Sequence, residues 1–226
     1  MTRPTMGIDM AQLKRAISTD DDIWAFGNNI LYQLCREHPK HESPKVVVAK
    51  IWLIGRSYAA AIERRDPRID GGILMPNDKF YEEVVAPKMI RSEIDNRIGA
   101  LRRFKAVNDK NIAEVIDTHG CLTRIFHDFT GKSKRSLASK YLHFHLPEHF
   151  YLYDSRAVVG LRMFGREESP SRARVQGCDA EYMKFALRML ELQEDIERCF
   201  GKRLRPRELD KLLLNRVAQA GAMLPS

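Results

Sequence analysis

The chain lacks any apolar run long enough to cross a bilayer. Its longest, from Val46 to Gly55, is broken by Lys50, whereas a spanning helix needs roughly 20 apolar residues. The opening MTRPTMGIDM carries no apolar segment of the signal-peptide kind, so no secretory leader is expected and a cytoplasmic location is. The four cysteines (Cys35, Cys121, Cys178 and Cys199) form no CxxC pair and no Cys/His cluster with zinc or iron–sulfur spacing. They read as reduced, mostly structural thiols. His143, His145 and His149 do not make HExxH, so neither a metal nor a cofactor is expected. No segment alternates with period two, none repeats, and none is of low complexity, which leaves an all-α fold as the expectation.

What remains is ordinary in bulk and biased in charge. The 226 residues are 44% hydrophobic and 30% charged, enough for a single helical domain or two closely packed subdomains sharing a core. Mean hydropathy is −0.40, which speaks against a membrane partner. Net charge is +8 with a pI near 9.4, which favours an acidic partner; nucleic acid is the commonest.

Along the chain, Thr19 before Asp20-Asp21-Asp22 reads as a helix start, and Ile23, Phe26, Ile30, Leu31 and Leu34 continue it over about 20–36. Ser43-Pro44 opens a second helix whose apolar face (Val47, Ile51, Ile54, Tyr58, Ile62) carries it to about Arg65. On that helix Arg56 and Glu63 share a face and read as a structural ion pair or as two charges lining a cleft. Residues 66–77 hold two prolines and a Gly-Gly pair and read as a loop, the best place for a hinge. Asn77 is expected to cap a helix through Val85, with Pro87 near the start of the next, towards Phe104. An amphipathic segment runs from Asn108 to Phe126, with a potential break at His119-Gly120. Residues 165–177 read as a basic loop, Cys178 or Asp179 starts a long helix to Phe200, and Pro206 starts a last one to about Ala220. Met183 and Met189 read as core. Basic runs at 102–105, 162–174 and 202–207 read mainly as solvated faces, the second being the best candidate to extend a nucleic-acid footprint.

The chemistry concentrates between Asp128 and Leu161. Gly131-Lys132-Ser133-Lys134 is a basic glycine turn between two helices, the second running from Arg135 to Phe144. Such a turn offers backbone N–H groups at a helix N-terminus, and Lys132, Lys134 and Arg135 add positive charge. That combination suits a phosphate; a plain solvated helical corner is the alternative. A connector rich in His and aromatics follows, and then Asp154, a favoured N-cap, opens a further helix.

Gly131, the segment Ala138-Ser139-Lys140-Tyr141-Leu142 and the segment Tyr153-Asp154-Ser155-Arg156-Ala157-Val158 together resemble the helix-hairpin-helix DNA glycosylase superfamily. The likeness is closest to its small 8-oxoguanine glycosylase/lyase branch and covers roughly residues 125–165. It implies two subdomains (about 1–105 with 179–226, and about 106–178) flanking a cleft, with duplex DNA as partner. It assigns Asp154 the essential carboxylate of base–sugar cleavage. Bifunctional members carry a nucleophilic Lys about eighteen positions before that Asp; here the position holds Ser136, which cannot form a Schiff base. Lys134 and Lys140 lie nearby as shifted candidates, and the hydrolytic members of the family manage without the Lys. Residues 131–135 are the DNA-binding candidates. A flipped base would stack on one of Trp52, Tyr58, Phe144, Phe150 or Tyr151, with Arg56 and His145 as further pocket candidates. The expectation is thus a glycosylase-like protein that binds DNA and recognises a modified purine. The alternatives are a non-catalytic module that binds nucleic acid or a modified base, of the kind found in phage-defence or nucleotide-modification operons, and a helical protein-interaction factor.

Overall fold

In a computed structural model of the chain, the residues described are 8–18, 23–71, 75–165 and 177–222. They form ten α-helices and, among the described residues, no strand. The helices are α1 (Met10–Ile17), α2 (Ala25–Glu37), α3 (Pro44–Ser57), α4 (residues 77–90), α5 (Ile94–Leu101), α6 (Ile112–Thr130), α7 (Arg135–His145), α8 (Ser155–Arg162), α9 (Ala180–Phe200) and α10 (Pro206–Ala222). None is long and apolar enough to cross a membrane. The helix starts at Thr19 and the arginines at 166, 172 and 174, singled out in the sequence, lie outside the described residues.

Helix α7 is the spine. From Leu137 to His145 every residue is buried, and α2, α3 and α6 pack around it. A helix covered on all sides must satisfy its polar side chains internally; Ser139, Lys140, Tyr141 and His143 find partners, and His145 does not. Helices α1, α8 and α10 form a second group against the first, and α9 closes on α6 and α8. One continuous apolar cluster runs from Leu13 to Leu213 through both groups.

Local chemistry sets most of the ends. Asp9 and Gln12 make a reciprocal capping box at the start of α1, a helix the sequence reading did not anticipate. Asp179 accepts from the Tyr182 amide at the start of α9. Gly131, at φ +65°, ends α6. A side chain there would be strained, and its Cβ would lie 2.9 Å from both Asp66 and Ile69.

Two expectations are corrected and one is refined. Helix α3 stops at Ser57 rather than near Arg65, because Ala59 takes φ +52° and the Ala60 amide turns back onto the Gly55 carbonyl. Pro87 stands in the first turn of the helical stretch Ala86–Ile90, as expected, but that stretch ends at Ile90 and α5 carries the chain on towards Phe104. The proline sits within α4, directly after a π turn over Phe80–Val85; proline has no N–H to donate and its ring crowds the carbonyl four residues back, so the turn widens. His119-Gly120 breaks nothing: α6 is continuous, and Gly120 lets the chain entering α9 cross within 3.1 Å, at the Cys178 Cα, of where a Cβ would stand.

Candidate functional site

Ser136 and Lys140 lie one turn apart on α7, so both face the same neighbour. That neighbour is the chain entering α8. Lys140 Nζ donates to Ser136 Oγ (2.8 Å), to the Tyr153 carbonyl (3.0 Å) and to Asp154 Oδ2 (3.4 Å). Asp154 Oδ1 accepts from the Ala157 amide at 2.9 Å, capping α8. Ser139 fixes the approach by accepting from the Tyr153 amide at 3.0 Å. The two ionic partners differ in environment: the Lys140 side chain is 2% exposed and that of Asp154 33%. The carboxylate therefore caps its own helix and also faces solvent beside a buried amine. Burial lowers the Lys140 pKa from its ordinary value, with Asp154 opposing.

Behind this pair stands a second polar layer that the sequence reading did not assemble. The Tyr58 ring lies 5.7 Å from Lys140 Nζ. Its hydroxyl donates to Asn28 Oδ1 (2.6 Å) and accepts from Arg207 (2.6 Å). Arg207 also donates to the Tyr32 hydroxyl (3.4 Å) and pairs with Asp210 (3.4 Å). Tyr32 in turn donates to His143 Nε2 (2.7 Å), whose Nδ1 donates to the Phe150 carbonyl (2.9 Å). Burial holds the His143 pKa well below the ordinary value, which favours the neutral ring with Nδ1 protonated towards the Phe150 carbonyl and Nε2 accepting from Tyr32. Asp210 is buried, with Oδ1 left without a hydrogen bond. Burial pushes its carboxyl up to about 6, against the pull of Arg207 and with a further push from Asp154. An acid among the leucines of PRELDKLLL was the visible signal for Asp210. Arg207 is corrected from a solvated charge to a half-buried structural hub.

At the turn, no described residue accepts from the amides of residues 133–137; Leu137 is buried, which leaves the N–H groups of the exposed or half-buried residues 133–136 for a ligand. The three flanking cations divide. Lys132 is exposed. Lys134 turns inward, donating to the Ala61 (2.9 Å) and Arg64 (2.8 Å) carbonyls, and burial lowers its pKa to about 8. Arg135 pairs with Asp179 at 2.6 Å, and Ser133 Oγ lies 3.5 Å from the same residue.

The stacking candidates separate in the same way. Phe150 and Tyr151 are sealed in the core, with the Tyr151 hydroxyl on Gln193, and offer no ring face to a ligand. Trp52 is exposed on α3. Arg56 pairs with Glu63 across the turn that follows α3, and Tyr81 donates to Glu63 at 2.7 Å, which makes this a structural pair. Phe144 and His145 line a cavity of about 570 Å3 together with Tyr32 and Arg207; Ser136, Lys140 and Asp154 do not border it. Comparison with known protein families, with curated proteins and with solved structures finds no match to this chain.

Proposed function

We propose that this chain is a helix-hairpin-helix, glycosylase-like protein that binds duplex DNA and acts on a modified purine, with Asp154 and Lys140 at the reaction centre. The observation that carries the reading is the contact between a buried amine on α7 and a solvent-facing carboxylate at the start of α8, one turn from a helix N-terminus with free amides. The amides of residues 133–136 and the Lys132 side chain would hold a strand phosphate, placing the adjacent nucleotide near Asp154. The carboxylate would stabilise positive charge developing on the sugar as the C1′–N bond breaks. Water then adds to C1′, one of its protons leaving with the base. Lys140, rather than Ser136 or Lys134, is the amine placed to attack C1′ if the chain also has lyase chemistry. Its burial favours the neutral, nucleophilic form.

Asp154 Oδ1 is committed to capping α8, and this favours a second reading, in which the chain binds a modified base without cleaving it. Oligonucleotides bearing a panel of altered purines, scored for abasic sites, separate the two. Under the first reading, Asp154→Asn lowers base release by about 100-fold or more while duplex affinity stays within about threefold. Equal release by that variant refutes the assignment of Asp154. Release by neither protein, with selective binding of one altered base, establishes the second reading. Borohydride trapping that is lost in Lys140→Gln identifies the amine.

A further inference from the structure

The cavity of about 570 Å3 lies between α2, the connector after α7 and the first turn of α10, within the size range of small-molecule sites. Its charge is unbalanced. Glu148 and Glu208 are both engaged by Arg205, at 3.8 and 3.5 Å. Arg36, Arg102 and Lys105 border the same space, are exposed, and have no ion pair among the described residues. Three uncompensated cations around one concavity raise the local concentration of anions, and guanidinium groups match phosphate oxygens in pairs.

The wall carries unmet hydrogen-bonding capacity. His145 is 5% exposed and neither ring nitrogen has a partner. His149 is 4% exposed; its Nε2 donates to the Phe104 carbonyl at 3.0 Å, which leaves Nδ1 as an acceptor with nothing to accept from. Buried polar atoms without partners are rare in native folds. Both residues border the cavity, and a turn of either ring towards it would let a ligand with its own donors and acceptors satisfy these nitrogens. Ile17, Leu146 and Pro147 add apolar surface to the lining.

We infer that this cavity binds a small phosphate ester with a flat, hydrogen-bonding body, of the nucleoside monophosphate class. The phosphate meets Arg36, Arg102 and Lys105, and the heterocycle or sugar meets His145 and His149. The ester arrives either as a free nucleotide or as the 5′-phosphorylated end of a strand. The site is separate from the Lys140–Asp154 pair, and ligand binding there does not depend on whether the chain cleaves DNA. Arg207 borders the cavity and holds Tyr58, whose ring packs on Lys140, so occupancy has a physical route to that pair.

Isothermal titration of the full chain tests this with purine and pyrimidine nucleoside monophosphates, the matching nucleosides, and a trinucleotide with and without a 5′-phosphate. A monophosphate is expected to bind with Kd on the order of 10–100 μM and the nucleoside at least tenfold more weakly. The double variant Arg102→Ala/Lys105→Ala, both exposed positions, should weaken binding at least tenfold with an unchanged melting temperature; Arg36→Ala should weaken it less. Binding of the phosphorylated trinucleotide alone assigns the phosphate to a strand end. Absence of binding by every phosphate compound at millimolar concentration, or full affinity in the double variant, overturns the inference.

Discussion

Lys140 Nζ stands 3.4 Å from Asp154 Oδ2, a buried cation facing a carboxylate that keeps one side in water. Such a pair is neither a surface bridge of negligible worth nor a sealed one with a full desolvation cost. Asp154 has two separable duties, since Oδ1 caps α8 and Oδ2 meets the amine. Asp154→Asn keeps an oxygen for the Ala157 amide and removes the charge, so its cost in urea denaturation should be under about 1 kcal/mol. Asp154→Ala removes the cap as well and should cost about 1 kcal/mol more. Equal costs would show that the cap contributes nothing.

Lys132 and Lys134 are two residues apart and differ in what they hold. Exposed Lys132 is free to meet a phosphate, so Lys132→Ala should weaken duplex binding for all sequences alike and reduce the slope of log K against log salt by about 1. Lys134 ties the turn to the Ala61 and Arg64 carbonyls. Lys134→Met should therefore lower stability by about 1–3 kcal/mol and leave the salt slope close to that of the parent protein. Fluorescence anisotropy at several salt concentrations, paired with chemical denaturation, reads both effects; an exchange of the two phenotypes would reverse the assignment.

Asp210 gives the fold a pH dependence of uncommon sign. Its carboxyl sits at about 6 in the fold against an ordinary 3.8. Such an acid stabilises the fold while it holds its proton, and that contribution is lost as pH rises from about 4 through 6. Five buried imidazoles (His41, His119, His143, His145 and His149) act in the opposite direction. Burial lowers their pKa values, so they remove stability as pH falls below about 6.5. The Asp210 term is therefore read from the difference between the parent chain and Asp210→Asn. That difference should move in favour of the variant by on the order of 2 kcal/mol between pH 4.5 and 7.5. A difference independent of pH would place Asp210 outside this account.

The first layer of the site was legible because it is local. Ser136 and Lys140 share a helix face by spacing alone, and Asp154 ahead of Ser-Arg-Ala is a cap by composition. The second layer was not, because Tyr32 on α2, Tyr58 just past the end of α3, and Arg207 and Asp210 on α10 are widely spaced in sequence and meet only in the packed molecule. The end of α3 was misread for a related reason. Ser57 to Arg65 has good helix formers, yet its carbonyls are captured by Lys134 and its backbone lies against the Asp66–Thr130 contact, so tertiary bonds override propensity. The capping box at Asp9 and Gln12 was readable, but α1 is only eight residues long and its apolar stripe is correspondingly short.

Gly160 couples the two layers. A Cβ there would stand 2.7 Å from the Leu213 carbonyl oxygen and 2.9 Å from the Leu213 Cβ, so α8 and α10 touch backbone to backbone at this point. Backbone cannot swing aside as the end of a side chain can, and Gly160→Ala must push the two helices apart. Overpacking of this kind costs about 1–3 kcal/mol, which thermal or urea denaturation would register. The displacement has a direction that matters for the site. Helix α8 carries the Asp154 cap at its start, and α10 carries Arg207 and Asp210. Separating them lets water reach the Asp210 carboxyl, and burial is the main cause of its raised pKa, so the pH dependence attributed to Asp210 should shrink in Gly160→Ala along with the stability. Loss of stability with that pH dependence intact would mean that the helices part elsewhere along their length and leave Asp210 buried.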